Sequence, residues 1–282
     1  SESTGHISLS QRNLPRIKDI MAFQADKQDI TMAWTSPVSI PCRSLECTTP
    51  AYSLLHLDKE RVRYLHSIRK EWAVSVNDLM IAVIIRALAD IAGTSDSHRV
   101  SLLTTIDLRR YLDISPATSV QNYSTAFHIS MDVPVNEPIH VTAVRTKTLM
   151  DAIKNNYPGI DAAFEAERLY DSGYAAAYRE IGDRWAENER SKTRIPIFSN
   201  TGIIEPFGFD SDISVRSAYI LPTHNRPPGI LCLLSSYGDE MTLSSTYCLP
   251  GYDPDILFRF FSRLDQAIPG YSKSPGRYEV IL

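Results

Sequence analysis

Two polar side chains, Ser199 and Asn200, close the apolar stretch RIPIFSN at the point where it predicts a strand to stop. Polar groups at such an end commonly face a ligand. They can equally end the strand by bonding to its own backbone. A second strand end, in RVSLLTTIDLRRYL, carries Asp107, Arg109 and Arg110. There a carboxylate and a guanidinium two residues apart suggest an ion pair fixing the strand end. The seven histidines (His6, His56, His66, His98, His128, His140 and His224) stand isolated from one another. His128 precedes Asp132 by four positions in HISMD, and on a strand those positions share a face. The pair resembles a catalytic dyad on paper, but a strand-end or surface histidine is the reading preferred. His56 and His66 read as exposed or partly buried, and His224 falls in the loop PTHNRPP.

The cysteines suggest no further chemistry. Cys42 and Cys47 have no histidine or cysteine partner at metal-site spacing, Cys232 sits in an apolar strand as a small core residue, and Cys248 is distant. No disulfide or zinc framework, no metal and a reducing cytoplasm are therefore expected. The net charge of -4 gives no footprint for nucleic acid. The longest apolar run, around Leu79 to Ala92, is broken by Arg86 and Asp90, so no membrane span is expected. With 43% apolar residues in 282, the chain can bury one large core or two modest ones.

The elements that must position these residues follow from spacing. Residues 1–50 read as a crossover or linker: PVSIPCRSLECTTPAY holds three prolines and little periodicity, and NLPRIKDIMAFQ before it suits a short helix. From Ala51 a strand leads into a helix with Asp58 as N-cap and Val62, Leu65 and Trp72 at helical spacing. SVNDLMIAVIIRALADIAG has a capping box at Ser75 and Asp78 and a C-cap at Gly93, and is apolar on nearly every side, which predicts a buried helix. VQNYSTAFHISMDVPV predicts a strand, 137–155 a helix, and 161–190 a helical stretch weakened at DSGY. Strands are then expected at RIPIFSN, DISVRSAYIL and the hairpin GILCLLSSYGDEMTLSSTYCL, turning at Gly238 and Asp239. Asp253 and Pro254 open a last helix with Leu257, Phe260, Phe261, Leu264 and Ile268 as its stripe. The fold class is α/β (α+β), a mixed sheet packed by helices.

Taken in order, SVNDLMIAVIIRALA, TTIDLRRYL, QNYS, FSNTG with PFGFD, and SSYGDEMTLSSTY before a closing helix resemble the C-terminal lobe of the chloramphenicol acetyltransferase-like superfamily. Its members include condensation domains of nonribosomal peptide synthetases and alcohol O-acyltransferases. The resemblance covers roughly Ala51 to Ile268 and implies a lobe over 51–282, one of two that enclose a tunnel. It implies that Ser199 donates to an oxyanion, a large term in acyl transfer. By the same resemblance Asp107, Arg109, Asn122 and Asn200 lie near the tunnel, with Gln121 in place of a family glycine. PFGFD resembles the latch that joins the lobes, so Phe207, Gly208 and Phe209 would pack on the other lobe and favour self-association without it. Pro206 and Asp210 depart from the latch pattern.

The family's general base, the second histidine of a His-His-x-x-x-Asp motif in the N-terminal lobe, has no counterpart here. The resemblance thus implies part of an enzyme that moves an acyl group from a coenzyme A or phosphopantetheine thioester, the latter on a carrier protein, to a small alcohol or amine. No bound cofactor is implied. The alternative is a half-sized, non-catalytic binding protein of the same fold.

Overall fold

The computed structural model describes residues 38–93, 97–111, 123–206 and 214–282. Asn122, Phe207, Gly208, Phe209 and the expected N-terminal helix lie outside the described residues. Strand β1 (Cys42–Leu57) leads into helices α1 (Lys59–Glu71) and α2 (Val76–Ala92). Strands β2 (Ser97–Asp107) and β3 (Ser124–Pro134) follow, then helices α3 (Ile139–Lys154), α4 (Ile160–Asp171) and α5 (Tyr174–Ser191). Strand β4 (Ile197–Ile203), the pair β5 (Leu231–Tyr237) and β6 (Glu240–Tyr252), helix α6 (Pro254–Ala267) and strand β7 (Arg277–Ile281) complete the chain.

The caps form as their residue types require. The Asp58 carboxylate accepts the Arg61 amide at 2.8 Å, and Ser75 and Asp78 make the reciprocal capping box. Leu79 to Ile85 and Ala87 to Ala89 are all buried, as an all-round apolar helix demands. α2 packs on α6, whose Leu257, Phe260, Phe261 and Leu264 are buried. The seven strands form one mixed sheet in the order β3-β2-β4-β5-β6-β1-β7. The β2–β4 and β4–β5 pairs are parallel, and the pairs from β5 through β7 are antiparallel. Gly238, at φ +56°, begins the two-residue turn between β5 and β6 that a left-handed first position permits.

Four expectations need correction. Residues 42–50, expected to be linker, are the first half of β1 and run beside β6 through two register shifts, which hide any alternation. Residues 214–221 of the expected strand DISVRSAYIL join no ladder. Strand β7, which no reading of the sequence anticipated, pairs with β1. Finally, Cys47 and Cys248, 201 residues apart, are joined by a disulfide, which overturns the expectation of none. Cys232 is the buried core thiol expected, and burial pushes its pKa up to about 12.

The chain forms two compact units. The larger holds 36–104, 128–150 and 187–282. The described part of the smaller unit gathers Leu108, Tyr111 and Ile160 with Ile106, Tyr123, Tyr157 and Phe164 around them. There Gly159, at φ +84°, precedes α4 where any Cβ would clash with Thr125 Cγ2.

Candidate functional site

Register decides which face each polar residue serves. Ser199 pairs with Leu233, Leu233 with Ser244, and Ser244 with Leu54, so Ser199 shares a sheet face with Ser244. Side chains two apart on a strand share a face. Ser235, Thr242, Thr246 and His56 therefore belong to that face too. The opposite face carries Phe198, Cys232, Leu234, Leu243 and Leu55. It also carries Tyr278, which meets Phe261 of α6 at 5.5 Å between ring centroids.

The hairpin hydroxyls on the Ser199 face are not solvated. Ser244 Oγ donates to Ile220 O at 2.8 Å, Thr246 Oγ1 donates to Thr223 O at 2.9 Å, and the Ile220 amide donates to Ser235 Oγ at 3.2 Å. Tyr237 adds a donor to Val215 O at 3.1 Å. A segment without ladder partners thus has its backbone polar groups met by side chains of the hairpin, which explains why Thr242, Ser244 and Thr246 are buried although they alternate with apolar residues. At the edge of this face His56 Nδ1 lies 3.1 Å from Thr242 Oγ1, its Nε2 3.6 Å from a Glu279 carboxylate oxygen, and its ring packs edge-on to Tyr219. Burial, aided by the Arg277 charge, lowers the His56 pKa, with Glu279 opposing. Thr242 is itself buried, so these groups fasten the sheet edge and present no nucleophile to solvent.

The residues singled out from sequence divide accordingly. Ser199 and Asn200 stand within β4, not at its end, which comes at Ile203. As neighbours on a strand they point to opposite faces. Ser199 is half-buried. Asn200 Oδ1 accepts the Gly202 amide at 3.0 Å, where the β4–β5 register shifts, so its side chain serves its own backbone as one of the two readings expected. In the smaller unit Asp107 and Arg109 make a two-pronged pair, with Arg109 Nε 2.8 Å and Nη2 2.6 Å from Asp107 Oδ2. Hydrogen bonding by Arg109 holds the Asp107 pKa below the usual carboxylate range. Both side chains are at least half exposed, so the ion-pair reading describes them. On β3, Phe127, Ile129, Met131 and Val133 are buried while His128 and Asp132 are exposed. Four residues of strand separate the latter two by about 13 Å, too far for a dyad, and Asp132 lies 3.7 Å from Arg99 instead.

The cluster that sequence spacing could not reveal is Cys47, Cys248 and His224. Their ligand atoms lie within 4.8 Å of one another, with His224 Nε2 2.7 Å from Cys248 Sγ and 3.2 Å from Cys47 Sγ. These are metal-ligand types, but the two sulfurs are bonded to each other and so offer no thiolate. Only the side chains' meeting across β1, β6 and the 222–228 loop unites them.

No protein-family model matches the chain, and no curated protein sequence does. Solved structures do. The trichothecene 15-O-acetyltransferase TRI3 of Fusarium sporotrichioides superposes with a TM-score of 0.62 at 14% identity, over 90% of this chain and 52% of that one. The SgcC5 protein of Streptomyces globisporus gives 0.57 at 13% identity, over 93% and 56%. The cyclization-docking bidomain of the EpoB nonribosomal peptide synthetase from Sorangium cellulosum gives 0.58 at 13%, over 94% and 50%. The chain spans about half the length of each of these. Among the described residues no helix is long and apolar enough to cross a membrane. The mixed seven-stranded sheet and the helices packed on it are thus a fold shared with about half of an acetyltransferase and of a domain of a peptide synthetase.

Proposed function

We propose that this chain is the C-terminal half of a two-lobed acyltransferase or condensation enzyme. Such an enzyme transfers an acyl group from a coenzyme A or carrier-protein thioester to the hydroxyl or amine of a small acceptor. The observation that carries the reading is the likeness over 90% of this chain to half of an acetyltransferase. The seven isolated histidines support it, because a neutral acceptor needs a general base and no histidine here has an adjacent one. The base then belongs to the other lobe, against which Phe207, Gly208 and Phe209 are proposed to latch.

In this reading Ser199 hydrogen-bonds the oxyanion that forms when the acceptor attacks the thioester carbonyl. Asp107 and Arg109 hold the end of β2. The same lack of paired histidines is what would favour a non-catalytic binding protein, and one experiment separates the two. The chain is combined with an N-terminal lobe carrying the two-histidine motif, and thiol release is followed over a panel of alcohols and amines. Ser199→Ala is expected to lower turnover by roughly 10²–10³-fold, and His128→Ala to leave it within about twofold of the parent. A Ser199→Ala variant as active as the parent removes the oxyanion role, and a His128→Ala variant that loses turnover while folded identifies a base here.

A further inference from the structure

An open cleft of about 790 Å³ adjoins the disulfide, and Cys47 is part of its lining. Arg43, Lys192 and Arg226 line it as well, against the single carboxylate of Glu46. Arg43 is paired with Asp253, but the lining remains cationic. Cys248, by contrast, is wholly buried. The two sulfurs are therefore unequal: one faces a cationic opening, and the other lies behind it, nearer the His224 imidazole nitrogen at 2.7 Å against 3.2 Å for Cys47. None of these groups serves the oxyanion site.

We propose that the Cys47–Cys248 disulfide is an exchange site for small thiols that carry anionic groups, and that the product is a mixed disulfide on Cys47. The inference stands independently of the acyl-transfer reading. Thiol–disulfide exchange proceeds by attack of a thiolate on one sulfur, and its rate depends on access to that sulfur and on how well the other leaves. The cationic lining draws the incoming thiolate's carboxylates or phosphates toward Cys47. The thiolate forms a new S–S bond to Cys47 Sγ while the Cys47–Cys248 bond breaks. The electron pair of the broken bond stays on Cys248 Sγ, which leaves as a thiolate, accepts a hydrogen bond from His224 Nε2–H and takes that proton as the exposed ring's Nδ1 picks up from solvent the proton the entering thiol released. No oxidant or reductant beyond the entering thiol is needed, since one disulfide and one thiol give one disulfide and one thiol.

The test uses the intact oxidised chain and three probes: glutathione with its carboxylates, coenzyme A with its phosphates, and cationic cysteamine. Reactions are acid-quenched at early times, adducts are located by peptide mass mapping, and each rate is divided by that thiol's rate with a small unstructured disulfide. The expected result is an adduct on Cys47, formed about tenfold faster or more with at least one anionic thiol than with cysteamine. Which of the two is faster tells whether the cleft prefers carboxylate or phosphate. Lys192→Ala with Arg226→Ala is expected to remove that discrimination, as is 1 M salt. His224→Ala is expected to slow all three thiols alike. Equal normalised rates for cysteamine and both anionic thiols, an adduct on Cys248, or discrimination unchanged in the Lys192/Arg226 double variant would overturn the proposal.

Discussion

Arg61 ties α1 to the end of α6 from inside the core. Its side chain is fully buried and donates to the carbonyls of Pro269 at 2.7 Å, Asp265 at 2.7 Å, Ile268 at 2.6 Å and Ser274, with the Asp265 carboxylate 3.3 Å away. It thus satisfies the orphan carbonyls at the end of α6. Burial lowers the Arg61 pKa and raises that of Asp265. Arg61→Met strands a carboxylate and several carbonyls, and is expected to cost about 3–5 kcal/mol in urea unfolding. Arg61→Lys should recover only part of this, because an ammonium lacks the planar fork. His56 gives a pH signature. Its pKa is lowered in the folded chain, so below the ordinary value near 6.5 the unfolded chain binds the proton more readily. The stability that neutral His56 contributes is present above that pH and is lost as pH falls through the lowered value. His56→Gln should flatten the decline in melting temperature below pH 6.5; an unchanged slope would mean that other groups set it.

Among the described elements, the segment at 214–225 is held by single hydroxyls. Ser235→Ala removes the acceptor of the Ile220 amide, and Ser244→Ala with Thr246→Ala removes the donors to Ile220 and Thr223. Each unsatisfied group costs about 1–3 kcal/mol. Hydrogen exchange across 214–225 should accelerate in the triple variant while α2 stays protected, and uniform acceleration would show that the clamp is global. α5 rests on different forces. It buries no residue, and Arg184 joins Glu180 on α5 to Glu165 on α4, as Arg168 does from the α4 side. These arginines hold the Glu165 pKa down to about 2. Exposed ion pairs are screened by salt, so exchange in α5 is expected to quicken at 1 M salt relative to 50 mM, and no change would show that something else holds it.

Sequence and structure agree where local rules suffice. The box at Ser75 and Asp78, the all-round apolar α2, the break at Ser172 and Gly173, and the turn at Gly238 each depend on residues within a few positions. They part where partners are distant. Half of β1 lies in a bulged, Pro-containing stretch, β7 is a five-residue edge strand, and 214–225 is ordered by hydroxyls up to 24 residues away. The candidate site was legible only in part for the same reason: the sequence puts Ser199 at the end of its strand, whereas β4 runs on to Ile203, and its face follows from three ladders.

For the whole molecule, the disulfide closes a loop of 201 residues. Its constraint on the unfolded chain predicts that Cys47→Ser with Cys248→Ser loses about 2–5 kcal/mol, read as a lowered urea midpoint. The same midpoint with and without the bond would show that it adds nothing to the fold. In the proposed function one lobe supplies the oxyanion donor and the other the general base. The measurement that tests it most directly is steady-state thiol release from acyl-coenzyme A and acyl-carrier thioesters. It is made with this chain alone and again after a lobe carrying the two-histidine motif is supplied in cis or as a separate chain. No more than background hydrolysis is expected for the chain alone and multiple turnovers with the lobe, since a missing general base costs about 10²–10⁴-fold. Many turnovers by the 282-residue chain alone would contradict it.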